Sequence, residues 1–214
     1  MILAYHRIQV PGFAVFRLNR KVHRPKRLKF PLLVKSISEE GSVGIAQASV
    51  VHDEEKLAQS VEFIHRQNKT DAIAEQYIKG REIYVGVIGN QNIQTYAPWE
   101  LVMEKLPEGS ENIATLKVKW DPAYQEKVGV ATRAAELTAE QHKSLERLSK
   151  RIYRHLFLSG YARLDYRMTE EGHFYSARGE SESTDCARRR LCRLGCARRR
   201  SLRAAIAEGA HAWG

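Results

Sequence analysis

The sequence predicts an α+β fold of antiparallel sheets with helices on one side, and three observations predict it. Residues 30–51, FPLLVKSISEEGSVGIAQASVV, read as strand, loop and strand. Residues 72–89, AIAEQYIKGREIYVGVIG, hold two further apolar runs joined by a short polar link. A long helical pattern starting at Thr138 stops at Gly160 and delivers another strand. At 214 residues the chain can bury a real core, as one domain with two lobes.

Each element follows from its own residues. The chain opens with a short apolar segment, then VPGFAVF at residues 10–16, then a basic linker over residues 17–29 that reads as a solvated connector or a phosphate contact. The apolar run 30–34 ends on Lys35, which holds one cation where a buried strand opens to solvent. Beyond two serines and two glutamates come Gly41, Ser42, Val43 and Gly44. Their glycines let backbone N–H groups turn together toward an anion with no Cβ in the way, although a plain turn has the same composition. The apolar pattern resumes over residues 45–51 as a second strand.

Asp53, Glu54 and Glu55 suit the first turn of a helix whose Leu57, Val61 and Ile64 face a sheet. His52 and His65 flank it without ligand spacing and read as surface histidines. Alternation of Ile83, Val85 and Val87 marks a half-buried strand, with Glu75 and Glu82 readable as solvated charges at a hairpin. A strand over residues 93–97 and another over residues 113–118 follow, the second leading into Lys119. Thr138 and Gln141 form a capping box, and Leu145, Leu148, Ile152 and Leu156 then trace one helix face. On the strand 161–168, Arg163, Asp165 and Arg167 share one face and Ala162, Leu164 and Tyr166 the other.

Charge divides the chain. The net charge is +10, yet residues 176–214 carry nine arginines against four acids, and all three cysteines. The first 175 residues have no cysteine and no Ser-His or Cys-His constellation, which suits an intracellular enzyme without a protein nucleophile. The longest apolar runs are far short of the ~20 residues a membrane helix needs. Cys186, Cys192 and Cys196, with His211 distant, match no common zinc spacing. The arginine runs 188–190 and 198–200, together with the 17–29 linker, supply an alternative reading as a basic nucleic-acid-binding protein, but few aromatics interleave with them.

In order and spacing, the segments 10–16, 30–51, 72–89, 160–165 and 172–175 resemble the ATP-grasp ligases, most closely the D-alanine:D-alanine ligase-like branch. The resemblance implies two α+β lobes clamping ATP and a cytoplasmic ligase that joins a small carboxylate to an amine through an acyl phosphate. Its cofactors would be ATP and Mg²⁺, with no membrane and no specific nucleic acid as partner. Lys35 and Lys119 would reach phosphate, and the amides of Gly41, Ser42, Val43 and Gly44 would cover it. Glu75, Gln76, Tyr77 and Ile78 would form the adenine hinge, and Glu82 would take the ribose hydroxyls. Asp165 would bind magnesium, and Arg163 would steady the acyl phosphate. The implied division is a partial amino-terminal strand and linker at 1–29, a small lobe at 30–96 and an incomplete large lobe at 97–175.

Two departures accompany the resemblance. The family's amino-terminal lobe has no counterpart before Val10. Where the family continues with a motif close to LEANPNP, this chain has SARGESEST. Codon degeneracy lets residues 177–184 be rewritten one base along as LEANPNP, so residues 176–214 are expected to be an out-of-frame, disordered basic tail. The implied ligase is accordingly an impaired fragment, or a non-catalytic nucleotide-binding remnant.

Overall fold

Alternation of buried and half-exposed side chains builds two antiparallel sheets, and the computed structural model describes residues 2–38 and 45–182 of the chain. The first sheet holds β1 (Phe13–Phe16), β2 (Leu32–Ser36), β3 (Val50–Val51) and β4 (Ala72–Gln76) in the order β1-β4-β2-β3. Leu32, Val34, Ala72 and Ala74 turn inward from it and meet Leu57, Val61 and Ile64 of α2 (Glu54–Gln67). Asp53 starts that helix by accepting the Lys56 N–H at 2.7 Å.

The second sheet holds β5 (Arg81–Gly89), β6 (Gln94–Thr95), β7 (Trp99–Met103), β8 (Val130–Ala134), β9 (Gly160–Met168) and β10 (Phe174–Glu182). Its order is β10-β9-β5-β7-β8, with β6 paired to β5. One face packs Val85, Val87, Ala162, Leu164 and Tyr166 on Leu145, Ile152 and Tyr153 of α5 (Ala139–His155). The capping box forms: Gln141 N–H donates to Thr138 Oγ1 at 3.2 Å and Thr138 N–H to Gln141 Oε1 at 3.0 Å. The buried Tyr166 hydroxyl is satisfied by Ser149 Oγ at 2.8 Å. A short amino-terminal helix, α1 (Ile2–Tyr5), rests beside α5.

Several expectations are corrected. The helices are not confined to one side, since α3 (Leu116–Trp120) and α4 (Pro122–Val128) pack with Leu101 and Tyr84 on the other face of the second sheet. The strand expected over 113–118 is a loop entering α3, because Thr115 caps that helix by accepting the Val118 N–H at 3.3 Å. Only Val50 and Val51 pair as strand in the 45–51 segment; Ser49 Oγ accepts the Ala46 N–H and folds residues 47–49 into a 3-10 turn. The 17–29 linker exposes Arg17, Arg20, Lys21, Lys26, Arg27 and Lys29 to solvent as expected, but it is also pinned: Leu28 is buried, and Arg24 lies 2.6 Å from Glu54 and over the Phe30 ring. His65 is half-buried with Nε2 3.0 Å from the Phe16 carbonyl, while His52 is exposed as expected. Backbone pairing of β10 with β9 runs to Glu182, past the expected boundary at Ser176, with a bulge between Ser176 and Arg178. Residues 183–214 of the expected tail lie outside the described residues.

The largest correction concerns the lobe boundary. β4 belongs to the first sheet, but β5 is the centre of the second, so the chain crosses at residues 77–80 and not near residue 96. The crossing ends on Gly80, whose φ is +148°, and a Cβ there would lie 2.1 Å from the Met168 carbonyl oxygen. A side chain at this point must displace backbone. Gly80→Ala is therefore expected to cost about 2–4 kcal/mol, read as a lowered urea midpoint with an unchanged slope.

Candidate functional site

The crossing at residues 77–80 leaves a cleft between the sheets, lined by residues from both. Its apolar walls are Leu33, Ile45, Tyr77, Ile78 and Ile113; its charged groups are Lys35, Glu75, Glu82, Lys119, Asp165 and Arg167. Eight residues expected from the sequence thus border one space: Lys35, Glu75, Gln76, Tyr77, Ile78, Glu82, Lys119 and Asp165. Arg163 reaches it through Asp165. Gly41, Ser42, Val43 and Gly44 lie outside the described residues.

The first sheet supplies one wall. Period-two alternation on β2 turns Val34 inward and Lys35 outward, where Nζ meets Glu75 Oε2 at 2.5 Å. Backbone groups at the end of β4 are fastened from behind, with Gln76 N–H donating to the Gly12 carbonyl at 2.7 Å and Tyr77 N–H to Pro31 at 2.9 Å. Tyr77 donates its hydroxyl to the Asn112 carbonyl at 3.2 Å. Burial, aided by Glu111 and opposed by Arg167, pushes the Tyr77 phenol up to about 12.

The second sheet supplies the other wall through direct cross-strand pairs, Glu82 with Arg167 and Tyr84 with Asp165. Arg163 forks onto Asp165, Nε to Oδ1 at 2.8 Å and Nη2 to Oδ2 at 3.2 Å, while its guanidinium sits 5.2 Å from the Tyr84 ring centre. Glu82 accepts the Tyr84 hydroxyl on Oε1 at 2.7 Å and faces Arg167 Nη2 across 3.2 Å on Oε2. Burial raises the Tyr84 phenol far above its ordinary range, with Glu82 adding to it. Lys119 comes from α3, half-buried at the cleft edge.

Sequence reasoning missed Tyr84 as a site residue, gave Arg167 no role, and missed the bridge between lobes. In that bridge Gln47 exchanges two hydrogen bonds of 3.0 Å with the Glu111 backbone, and Leu116 N–H donates to the Ile45 carbonyl at 3.1 Å. The alternation that placed Arg167 beside Asp165 was visible; its pairing with Glu82 requires the sheet register.

The D-ala D-ala ligase C-terminus family matches residues 2–177. The chain belongs to that family. A D-alanine--D-alanine ligase of Syntrophotalea carbinolica is 30% identical over 174 residues, spanning 81% of this chain and 51% of that protein. Among solved structures, D-alanine--D-alanine ligase from Bacillus anthracis complexed with ATP superposes with a TM-score of 0.63 at 21% identity, covering 84% of this chain and 52% of that one. The VanG D-Ala:D-Ser ligase from Enterococcus faecalis gives 0.62 at 20% identity, covering 84% and 50%. The fold of this D-Ala–D-Ala ligase C-terminal domain is accordingly ATP-grasp, and the chain spans about half the length of the curated relatives it matches.

Raised phenols give the domain a signed alkaline dependence. Tyr77, Tyr84 and Tyr166 keep their protons in the fold after an unfolded tyrosine, near 10.0, has lost its own. Their contribution to stability is complete below pH 10 and is lost as pH rises, for Tyr77 through about 12. The melting temperature should fall steadily above pH 10 while tyrosinate absorbance lags that of the urea-unfolded chain; coincident titrations would contradict the burial described.

Proposed function

We propose that the cleft binds magnesium-ATP and that this domain serves an ATP-dependent ligase forming a carbon–nitrogen bond between a small carboxylate, of amino-acid type, and an amine. One observation carries the reading: Lys35 from the first sheet, Asp165 from the second, Lys119 from α3 and an apolar hinge between the sheets converge on one cleft. A planar base suits the space between Leu33, Ile45, Ile78 and Ile113, and a triphosphate suits Lys35 and Lys119. The names of the curated relatives and the ATP complex among the structural neighbours support the same assignment.

In this proposal Glu75, Gln76, Tyr77 and Ile78 form the base hinge and Glu82 takes the ribose. Lys35, which pairs with Glu75, exchanges that partner for phosphate oxygens. The substrate carboxylate attacks the γ-phosphorus, ADP leaves, and the amine then displaces phosphate from the acyl phosphate. No side chain need become covalent; catalysis is positioning plus charge stabilisation. Arg163 faces the developing oxyanion, a role whose removal typically costs ~10²–10³ in rate. Asp165 provides carboxylate oxygens of the kind magnesium prefers, and one protein carboxylate plus substrate phosphates is an ordinary set for that ion. Substrate phosphate oxygens would supply the remaining ligands. Bound magnesium would neutralise phosphate charge. No helix among the described residues is long and apolar enough to cross a membrane, and a cytoplasmic setting, where ATP is abundant, suits the reading.

Thermal shift tests it. Magnesium-ATP at roughly 100 times its Kd should stabilise the chain by about 2.7 kcal/mol, and Lys35→Ala should remove most of that shift without unfolding the protein. No shift with ATP, combined with salt-sensitive stabilisation by a polyanion, would replace the ligase reading with nucleic-acid binding through the arginine-rich segments.

A further inference from the structure

Arg167, on the cleft face of β9, meets three neighbours at once. One guanidinium nitrogen, Nη2, lies 3.2 Å from Glu82 Oε2; the other, Nη1, donates to the Gly80 carbonyl at 3.2 Å; and the guanidinium stands 5.7 Å from the centre of the Tyr77 ring. Its side chain is 12% exposed and that of Glu82 13%. Neither is a waving surface charge. From the same strand as Glu82, Tyr84 donates its hydroxyl to the other carboxylate oxygen at 2.7 Å.

The chemistry of Glu82 follows from that bracing. A carboxylate offers about four lone-pair sites, two on each oxygen. Tyr84 and Arg167 take one from each, leaving one acceptor site per oxygen on a side chain that borders the cleft. Two adjacent acceptors on a fixed plane match two adjacent hydroxyl donors. A vicinal diol presents such a pair; a deoxy sugar presents one donor and leaves the second site desolvated and unpaired, which is where polar discrimination comes from.

We infer that Arg167 and Tyr84 are positioning residues that hold Glu82 as a vicinal-diol acceptor, so that the cleft selects ribonucleoside over 2′-deoxyribonucleoside triphosphates. This rests on the nucleotide reading above and deepens it. Arg167 does not touch the nucleotide in this scheme. It fixes the carboxylate and, through the Gly80 carbonyl and the Tyr77 ring, the crossing segment beside it.

The test compares magnesium-ATP with magnesium-2′-deoxy-ATP by calorimetry on the 214-residue chain. The parent chain should bind ATP about tenfold more tightly, the value of one charge-assisted hydrogen bond. Arg167→Met should bring the ratio of the two constants to within twofold of unity, any loss through the crossing segment falling equally on both nucleotides. Tyr84→Phe removes only a hydroxyl, and should lower the ratio to about threefold; it carries the test alone if Arg167→Met does not fold by circular dichroism. Arg167→Lys, which restores one donor to Glu82, should recover part of the ratio. A merely structural role would weaken both nucleotides equally and leave the ratio at ten, which overturns the inference. Equal binding of the two nucleotides by the parent chain also overturns it and leaves the nucleotide cleft standing. Binding of neither nucleotide overturns the nucleotide reading and this inference with it.

Discussion

The geometry of the cleft depends on one crossing, at residues 77–80, where the chain leaves one antiparallel sheet and becomes the central strand of another. A crossing between sheets must satisfy its backbone without a ladder on either side. Here Tyr77 N–H reaches the Pro31 carbonyl, and the Gly80 carbonyl is taken by Arg167 and by Asn112 Nδ2 at 3.5 Å. Only glycine tolerates the position opposite Met168. Because β5 pairs with β9 over its full length, the crossing sets Glu82, Tyr84 and their partners Arg167 and Asp165 in one stroke. A shift of one residue there would turn Ile83 and Val85 to the cleft and the charges into the α5 core.

Most charges bordering the cleft are paired within the fold. Lys35 pairs with Glu75, Arg163 with Asp165 and Arg167 with Glu82, on side chains between 12% and 23% exposed. At that depth an uncompensated charge is expensive, whereas the net worth of an intact pair is small because both ions have lost water. Under the nucleotide proposal, binding would be partner exchange, with phosphate competing with Glu75 for Lys35 and a cation with Arg163 for Asp165. Arg167 also holds a backbone carbonyl and an aromatic face of the crossing segment, contacts internal to the fold. Exchangeable pairs suit groups that meet substrate, and a committed pair suits a group that holds another in place.

What the sequence disclosed followed period and caps. The α5 capping box and its apolar stripe were readable because every signal is local, and the two faces of β9 were readable because alternation has period two. Residues 113–119 misled because Ile113, Thr115, Lys117 and Lys119 alternate like a strand, while the Thr115 hydroxyl, which decides the matter, works equally as a helix cap. The 45–51 segment lost its strand to side-chain bonds from Gln47 and Ser49 that no periodicity records. Glu75 and Glu82, close in sequence, belong to different sheets and opposite walls. The partners of Glu82 were hidden because Arg167 approaches it only through the β5–β9 register.

The placement of Lys119 at the cleft rests on small, partly opposed contributions. The 111–116 segment carries α3, and so Lys119, and it is held to the first lobe by the two Gln47 bonds, the Ile45–Leu116 bond and the Tyr77 hydroxyl on Asn112. Each such bond is worth about 1 kcal/mol net. Against them stands Asn112 Oδ1, buried with no hydrogen-bond partner among the described residues, a penalty of roughly 1–3 kcal/mol. The hydrophobic contact of Ile113 with Val50 and Tyr77 adds to the favourable side. The sum is a few kcal/mol. Lys119 is thus placed at the cleft edge by a segment tied to the first lobe through these few bonds and not through the core of either sheet.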